Sequence, residues 1–308
     1  MAFDKTEYIW FNGALVPWDQ ATVHVTTHAL HYGSSVFEGI RAYEIKGQPN
    51  IFCLDAHVKR MFNSCKVYRM EIGYTPETIK QAICDTIKAN QVQECYIRPL
   101  VFYGSGGFSL DPRQLPVHVS IILIKMGRYL GPEAIEQGVD VGVSSWRRMA
   151  PGTFPAVAKI GGQYINSQFI AMESTDHGYT EGIALDINNF VSEGSGENIF
   201  VVRDGVIYTP PLYASILQGV TRACVIALAR DLGYVVKEEM LPREMLYMAD
   251  EVFFTGTAAE VTPIRSIDRV TIGNGRRGPV TERIQAAFFG ILAGEMQDRY
   301  GWLTPVAL

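Results

Sequence analysis

Residues 197–210 read ENIFVVRDGVIYTP. Two short apolar runs flank Asp204-Gly205, and an Asp-Gly pair between such runs is a hairpin turn, because both residues tolerate positive φ. The same short-strand texture extends in both directions. VDVGVSS begins at Val139, GIALDI at Gly182 and EVFFTGT at Glu251. Helical patterns interrupt these strands. One runs from Thr221 through Leu232 to Gly233, and the other is TERIQAAFFGILAGEMQDRY, residues 281–300. Strands and helices mixed in this way predict an α+β class with a barrel-like second domain.

Upstream, YIWFNGALVP places apolar runs around Asn12-Gly13, again a hairpin signal. Leu54, Val58, Met61, Phe62, Cys65 and Tyr68 fall at a helical period. Thr75-Pro76-Glu77 marks a second helix start, with Ile79, Ile83 and Ile87 on one face. CYIRPLVFY and VHVSIILI read as strands. GRYLGPEAIEQG, residues 127–138, is punctuated by glycine and proline and reads as a linker. The expected organisation is an N-terminal α+β domain over 1–126, the linker, and a C-terminal domain over 139–308.

The chain has 308 residues, 47% apolar and 19% charged, which is a globular balance. A net charge of −5 offers no overall basic field for nucleic acid or anionic lipid. No apolar stretch is long enough to span a membrane. MAFDKTEYIWFNG lacks the basic and apolar regions of a secretory signal. Five scattered cysteines without a CxxC fit reduced thiols in a cytoplasmic protein. His24, His28 and His31 lie close together, but hydrogen bonding explains them better than a metal site, and no metal is expected.

Several residues carry chemistry. Lys159 sits in FPAVAKIGGQY, where apolar surroundings lower a lysine pKa and leave the amine ready to form a Schiff base. The alternative is a lysine with a buried stem and a wet head, and Lys125 is a comparable candidate on hydropathy. Glu193, in NFVSEGSGENIFVV, is suited to hold a proton on a pyridine nitrogen, and local sequence does not separate it from Glu197. Gly219 and Thr221 in SILQGVTRACVIALA open a helix whose first N–H groups suit a phosphate. An ordinary threonine cap is the alternative. Thr257 in FFTGTAAEVTP is a second phosphate candidate, and Arg60 can add charge. Arg98 alternates with apolar residues in CYIRPLVF and needs an anion, from the protein or from a substrate. Tyr96, Tyr103, Tyr129 and Tyr164 suit an amphipathic pocket, or a core in which their hydroxyls are satisfied.

Together, HALHYGSSVFEGIRAY, LDAHVKRMFNS, CYIRPLVF, AKIGGQYINS, SEGSGENIF, LQGVTR and TGTAAEVTPI occur in the order they have in branched-chain amino-acid aminotransferases. The chain resembles these fold-type IV pyridoxal-phosphate enzymes from about Tyr8 to Tyr300. The resemblance implies a two-domain fold, with a smaller N-terminal domain and a larger C-terminal pseudo-barrel, and pyridoxal 5'-phosphate as cofactor. It implies that Lys159 binds the cofactor aldehyde and does the proton transfer, and that Glu193 rather than Glu197 meets the pyridine nitrogen. Tyr164 then meets the phenolic oxygen. Arg60, Val220, Thr221 and Thr257 form the phosphate cup, and Leu217 packs on the ring. Tyr96 with Ala258 and Ala259 resembles the substrate α-carboxylate site, and Arg98 the receiver of glutamate's distal carboxylate. Phe37, Gly39 and Tyr129 resemble pocket residues, and Tyr32 a residue given across a dimer interface. The implied reaction moves an amino group from L-leucine, L-isoleucine or L-valine to 2-oxoglutarate in a cytoplasmic homodimer, or in dimers stacked into a hexamer. Aminodeoxychorismate lyase, D-amino-acid aminotransferases and (R)-amine aminotransferases share the fold and are the competing readings. Met126 and GSGGFSLDP depart from the commoner family versions.

Overall fold

Asn12 and Gly13 adopt φ of 49° and 98°. They turn β1 (Tyr8–Phe11) into β2 (Ala14–Pro17), with Phe11 opposite Ala14. The computed structural model describes residues 5–125, 130 and 133–308. The chain divides into two units. The first comprises the described part of 1–126 together with Ala158–Gly162 and Ile291–Leu308.

In the first unit β1 and β2 are followed by α1 (His28–Tyr32), β3 (Ser35–Phe37), β4 (Ile40–Ile45) and β5 (Gln48–Phe52). Then come α2 (Leu54–Val67), α3 (Pro76–Asn90), β6 (Cys95–Tyr103) and β7 (Val117–Ile124). Thr75 caps α3 by accepting from Thr78 N at 3.1 Å, with Pro76 at the first helical position. The sheet is antiparallel and includes a strand at the chain's C-terminal end, Leu303–Pro305, paired with β5. Ile40, Ile97, Val101, Ile121 and Leu123 of the sheet are buried, as are Val58, Met61, Ile79, Ile83 and Ile87 of the helices. Lys159 belongs here because Ile160 bridges to Val36 and Phe37 N donates to Lys159 O at 3.1 Å.

The second unit comprises the described part of 127–157 together with Gln163–Gly290. Its elements are α4 (Ala134–Gln137), β8 (Val139–Arg147), α5 (Tyr164–Asp176), β9 (Glu181–Leu185), β10 (Val191–Gly194) and β11 (Asn198–Arg203). These lead to β12 (Val206–Thr209), α6 (Val220–Asp231), β13 (Val235–Glu238), α7 (Glu244–Tyr247), β14 (Glu251–Gly256), β15 (Glu260–Ile267), β16 (Val270–Thr271) and α8 (Pro279–Leu292). The strand order is β10-β9-β8-β15-β14-β11-β12-β13, with β16 on β15. The Asp204-Gly205 hairpin forms with φ of 50° and 75° and Arg203 opposite Val206. Val141, Ile183, Ile199, Val201, Phe254 and Ile264 share one core.

Four features differ from the sequence-based expectation. Helix α5 has no aliphatic stripe to announce it, because its buried residues are Asn166, Ser167, Ile170 and Ser174. Helix α8 stops at Leu292 rather than near Tyr300, since Gly294 at φ 69° returns its N–H to Ile291 O at 3.0 Å. The cap of α6 is Gly219, and Thr221 lies inside the helix. A division by chain order at 126 and 139 does not capture Ala158–Gly162 or Ile291–Leu308, whose Ile160 and Leu303–Pro305 pair with first-unit strands. The expected linker lies partly outside the described residues, and its later part contains α4.

Candidate active site

In the first unit, Lys159 is 9% exposed, whereas Lys125 is exposed. Desolvation and then the charge of Arg60 push the Lys159 ammonium down to about 8, with Glu38 opposing the fall. Its backbone is fixed on both sides. Ser64 Oγ accepts from Lys159 N at 2.9 Å, and Phe37 N donates to Lys159 O. Helix α2 supplies His57, Arg60 and Ser64 at helical spacing. Arg60 grips the fully buried Glu38 at two points, Nε to Oε1 and Nη2 to Oε2, both 2.7 Å. His57 Nδ1 meets Glu38 Oε2 at 2.8 Å. Burial alone would raise the Glu38 carboxyl, but Arg60 and His57 outweigh it and hold the group far below the carboxylate range. Burial lowers His57, so a neutral ring donating from Nδ1 is the form that fits.

Phe37 gathers two cations. Arg98 Cζ and Lys159 Nζ each lie 4.7 Å from its ring centroid. Arg98 Nη2 donates to Tyr96 Oη at 3.0 Å, the two residues sharing a face of β6 at i, i+2. Gly39 is required at its position, because a Cβ there would collide with the Tyr96 hydroxyl. Thus Lys159, Arg60, Phe37, Gly39, Tyr96 and Arg98 are brought together in one unit. Tyr32, in α1, is 46% exposed, and its hydroxyl donates to Phe108 O at 3.4 Å.

The second unit assembles a carboxylate cluster. Glu193, 8% exposed, receives Leu217 N at 3.0 Å and Asn198 Nδ2 at 3.1 Å on Oε2. Arg148 Nε lies 3.4 Å from Oε1. Asn198 also donates to Leu217 O at 3.0 Å, which ties the loop before α6 to Glu193. Gly219 is demanded by that contact, since a Cβ would strike Asn198 Oδ1. Val220 and Thr221 then present first-turn N–H groups, which have no intrahelical acceptor. Leu217, Val220 and Thr221 are therefore placed with Glu193. Thr257, Ala258 and Ala259 form the turn between β14 and β15, and Tyr164 opens α5. Tyr129 lies outside the described residues.

Glu197 is buried too, at 5% exposed. Its Oε2 accepts from Gly196 N at 3.0 Å, whereas Leu217 N and Asn198 Nδ2 donate to Glu193. The sequence reading missed Glu38, His57, Ser64, Arg148, Glu181 and Asn198. The His57–Arg60–Ser64 spacing was visible on α2, whereas Arg148 had no local signal.

Each unit by itself offers groups that suit a phosphorylated pyridine aldehyde: the first a desolvated amine, the second an acid held by several donors and a helix start offering N–H groups. Residues 35–267 match the model of the Amino-transferase class IV family. The chain belongs to the class IV aminotransferases. Over 307 residues this class IV chain is 50% identical to a branched-chain-amino-acid aminotransferase of Salmonella typhimurium, covering 99% of each. It is similar to the crystal structure of the Escherichia coli branched-chain amino acid aminotransferase, with TM-score 0.97, 50% identity, and 98% and 100% of the two chains covered. It is also similar to the crystal structure of a branched-chain amino acid aminotransferase from Thermobaculum terrenum in its PLP-bound holo-form, with TM-score 0.92 and 34% identity over 99% of each chain. The fold is accordingly the α+β fold-type IV aminotransferase fold that the motifs implied.

Proposed function

We propose that this class IV aminotransferase uses pyridoxal 5'-phosphate to transfer the amino group of L-leucine, L-isoleucine or L-valine reversibly to 2-oxoglutarate. The observation that carries the reading is the buried Lys159, brought down to about 8 beside the Arg60–Glu38 pair. An amine at that value is neutral in about a tenth of molecules at pH 7, far more than an ordinary lysine, and the neutral form attacks an aldehyde. The bound cofactor supplies an electron sink for the substrate α-carbon. Lys159 Nζ takes the α-proton and gives it back. Glu193 holds a proton at the pyridine nitrogen, while Arg148, Asn198 and Leu217 N keep its carboxylate in place. Val220, Thr221, Thr257 and Arg60 hold phosphate, Leu217 packs on the ring and Tyr164 meets the phenolic oxygen. Tyr96, Ala258 and Ala259 take the α-carboxylate. Arg98 takes the second carboxylate of glutamate, and the Phe37 ring beneath it offers apolar area to a branched side chain.

The test is a half-reaction screen. Purified protein is mixed with single amino acids while the cofactor spectrum is followed. Rapid conversion by leucine, isoleucine, valine and glutamate is expected. A protein that converts only D-amino acids, or that releases pyruvate without an amino acceptor, is a different enzyme of this fold.

The reading extends to a cytoplasmic homodimer. Val25, Leu30, Tyr32, Phe108 and Leu110 are 74%, 63%, 46%, 54% and 83% exposed, a concentration of apolar side chains in one unit that a second copy would cover. Light scattering should give at least a dimer at working concentration, and a fully active monomer would contradict it.

A further inference from the structure

Three carboxylates and one guanidinium are buried together in the second unit. Glu181, Glu193, Glu197 and Arg148 are 3%, 8%, 5% and 7% exposed. With every acid ionised the cluster would hold two uncompensated negative charges, which a desolvated setting opposes strongly. The donors are unequally shared. Glu193 receives Leu217 N, Asn198 Nδ2 and the Arg148 ion pair. Glu181 receives Gly182 N at 2.6 Å and is also hydrogen-bonded by Ser195. Glu197 has Gly196 N. Arg148 Nη1 donates to Ser167 Oγ at 2.9 Å and Asn166 Oδ1 at 3.4 Å, and Nη2 to Ser195 O at 2.8 Å and Gly194 O, so neither Glu181 nor Glu197 has a direct hydrogen bond from these groups.

The pocket for the Glu197 carboxyl is built into the chain. A Cβ at Gly194 would come within 2.8 Å of Glu197 Oε2 and 2.9 Å of the Phe254 ring. We propose that Glu197 is a neutral carboxylic acid in the folded protein, and that its proton leaves the charge of Arg148 committed to Glu193, making Glu197 a positioning residue for the acid that serves the pyridine nitrogen. The last step rests on the role of Glu193 proposed above. The groups acting on Glu197 agree with this placement. Burial first, and Glu181 and Glu193 in addition, push it well above the carboxylate range, while Gly196 N–H and Arg148 oppose. Glu181 is raised as well, chiefly by burial. Glu197 is the member with the fewest donors, so the proton rests there.

Infrared difference spectroscopy of the cofactor-loaded full chain tests this, because a buried protonated carboxyl has a C=O stretch separate from carboxylate bands. At pH 7 the wild type should show that band. E197Q, which keeps the shape without the acid, should lose it. In E181Q the band should titrate away at a pH lower by roughly 1–3 units, the scale on which a close like charge moves an acid. A wild type without the band overturns the proposal, as does a band that survives in E197Q. Should E197Q fold poorly, the E181Q comparison decides alone, and an unmoved midpoint overturns it. Full turnover by E193Q would instead remove the pyridine role of Glu193 while leaving the infrared result standing.

Discussion

Arg60 and Glu38 form a two-point ion pair, Nε to Oε1 and Nη2 to Oε2 at 2.7 Å each, with the carboxylate wholly buried. The pair fixes the guanidinium from behind, so α2 delivers a charge of set position to the neighbourhood of Lys159. Removing one partner of a buried pair leaves the other charge unsolvated, which costs about 3–5 kcal/mol. E38Q should therefore lower the denaturation midpoint by an amount on that scale. It should also lower the Lys159 pKa further, because Glu38 supports the ammonium form while Arg60 opposes it. A stable E38Q protein would show that the pair contributes little.

The pH dependence of stability follows from Lys159. Its folded value, about 8, lies below the ordinary 10.5. As the pH falls, the unfolded chain takes up this proton before the folded chain does. Stability fully present above about pH 10.5 is therefore lost down to about pH 8, on the order of 3 kcal/mol at ~1.4 kcal/mol per unit. In cofactor-free protein, the stability difference between wild type and K159M should rise with pH across that window. A flat difference would mean that Lys159 titrates normally.

Covalent attachment is tested by reduction. Borohydride should fix a pyridoxyl group on the peptide containing Lys159, and label on Lys125 would reverse the assignment. Lys125 is exposed and Lys159 is buried, a contrast that hydropathy of the flanking residues did not give. K159A should still bind cofactor, with its proton-transfer rate lowered by at least about 10²- to 10⁴-fold.

How much of this was legible depends on where each signal lies. Hairpins at Asn12-Gly13 and Asp204-Gly205 were readable because turn chemistry is local. Helix α2 was readable because its buried face is aliphatic. Helix α5 was not, because Asn166, Ser167 and Ser174 pack where apolar side chains would have announced it. The choice between Glu193 and Glu197 needed partners far along the chain: Arg148 reaches Glu193 from β8's end and Leu217 N from the loop before α6. No window around SEGSGEN contains that information, and only the ordered family motifs separated the two acids. The same holds for Lys159, whose place in the first unit depends on pairing with Val36 and Phe37.

The role proposed for Glu193 is electronic, so the variant that keeps its shape should fail. E193Q retains acceptors for Leu217 N and Asn198 but cannot hold a full positive charge on the pyridine nitrogen. Turnover should collapse with cofactor still bound, read by absorbance of the retained cofactor beside initial rates. Normal turnover in E193Q with an inactive E197Q would transfer the role to Glu197.

Arg98 should separate the two half-reactions. Its guanidinium lies over Phe37 and donates to Tyr96, and its Nε is buried without a hydrogen-bond partner among the described residues. That leaves a charge with aromatic company and donor capacity to spare. Glutamate and 2-oxoglutarate bring a second carboxylate to use it, and leucine does not. A charge-assisted hydrogen bond contributes roughly 1.5–3 kcal/mol, which is about 10- to 150-fold in affinity. R98L should weaken glutamate and 2-oxoglutarate by about that factor. Leucine should lose far less, because the Phe37 ring remains and the pocket becomes more apolar. The measurement is the pair of half-reaction kcat/KM values for leucine and glutamate in wild type and variant. Equal losses would place Arg98 at the α-carboxylate common to both substrates, acting through Tyr96. An intact glutamate half-reaction would remove Arg98 from substrate binding and leave it as packing for Phe37.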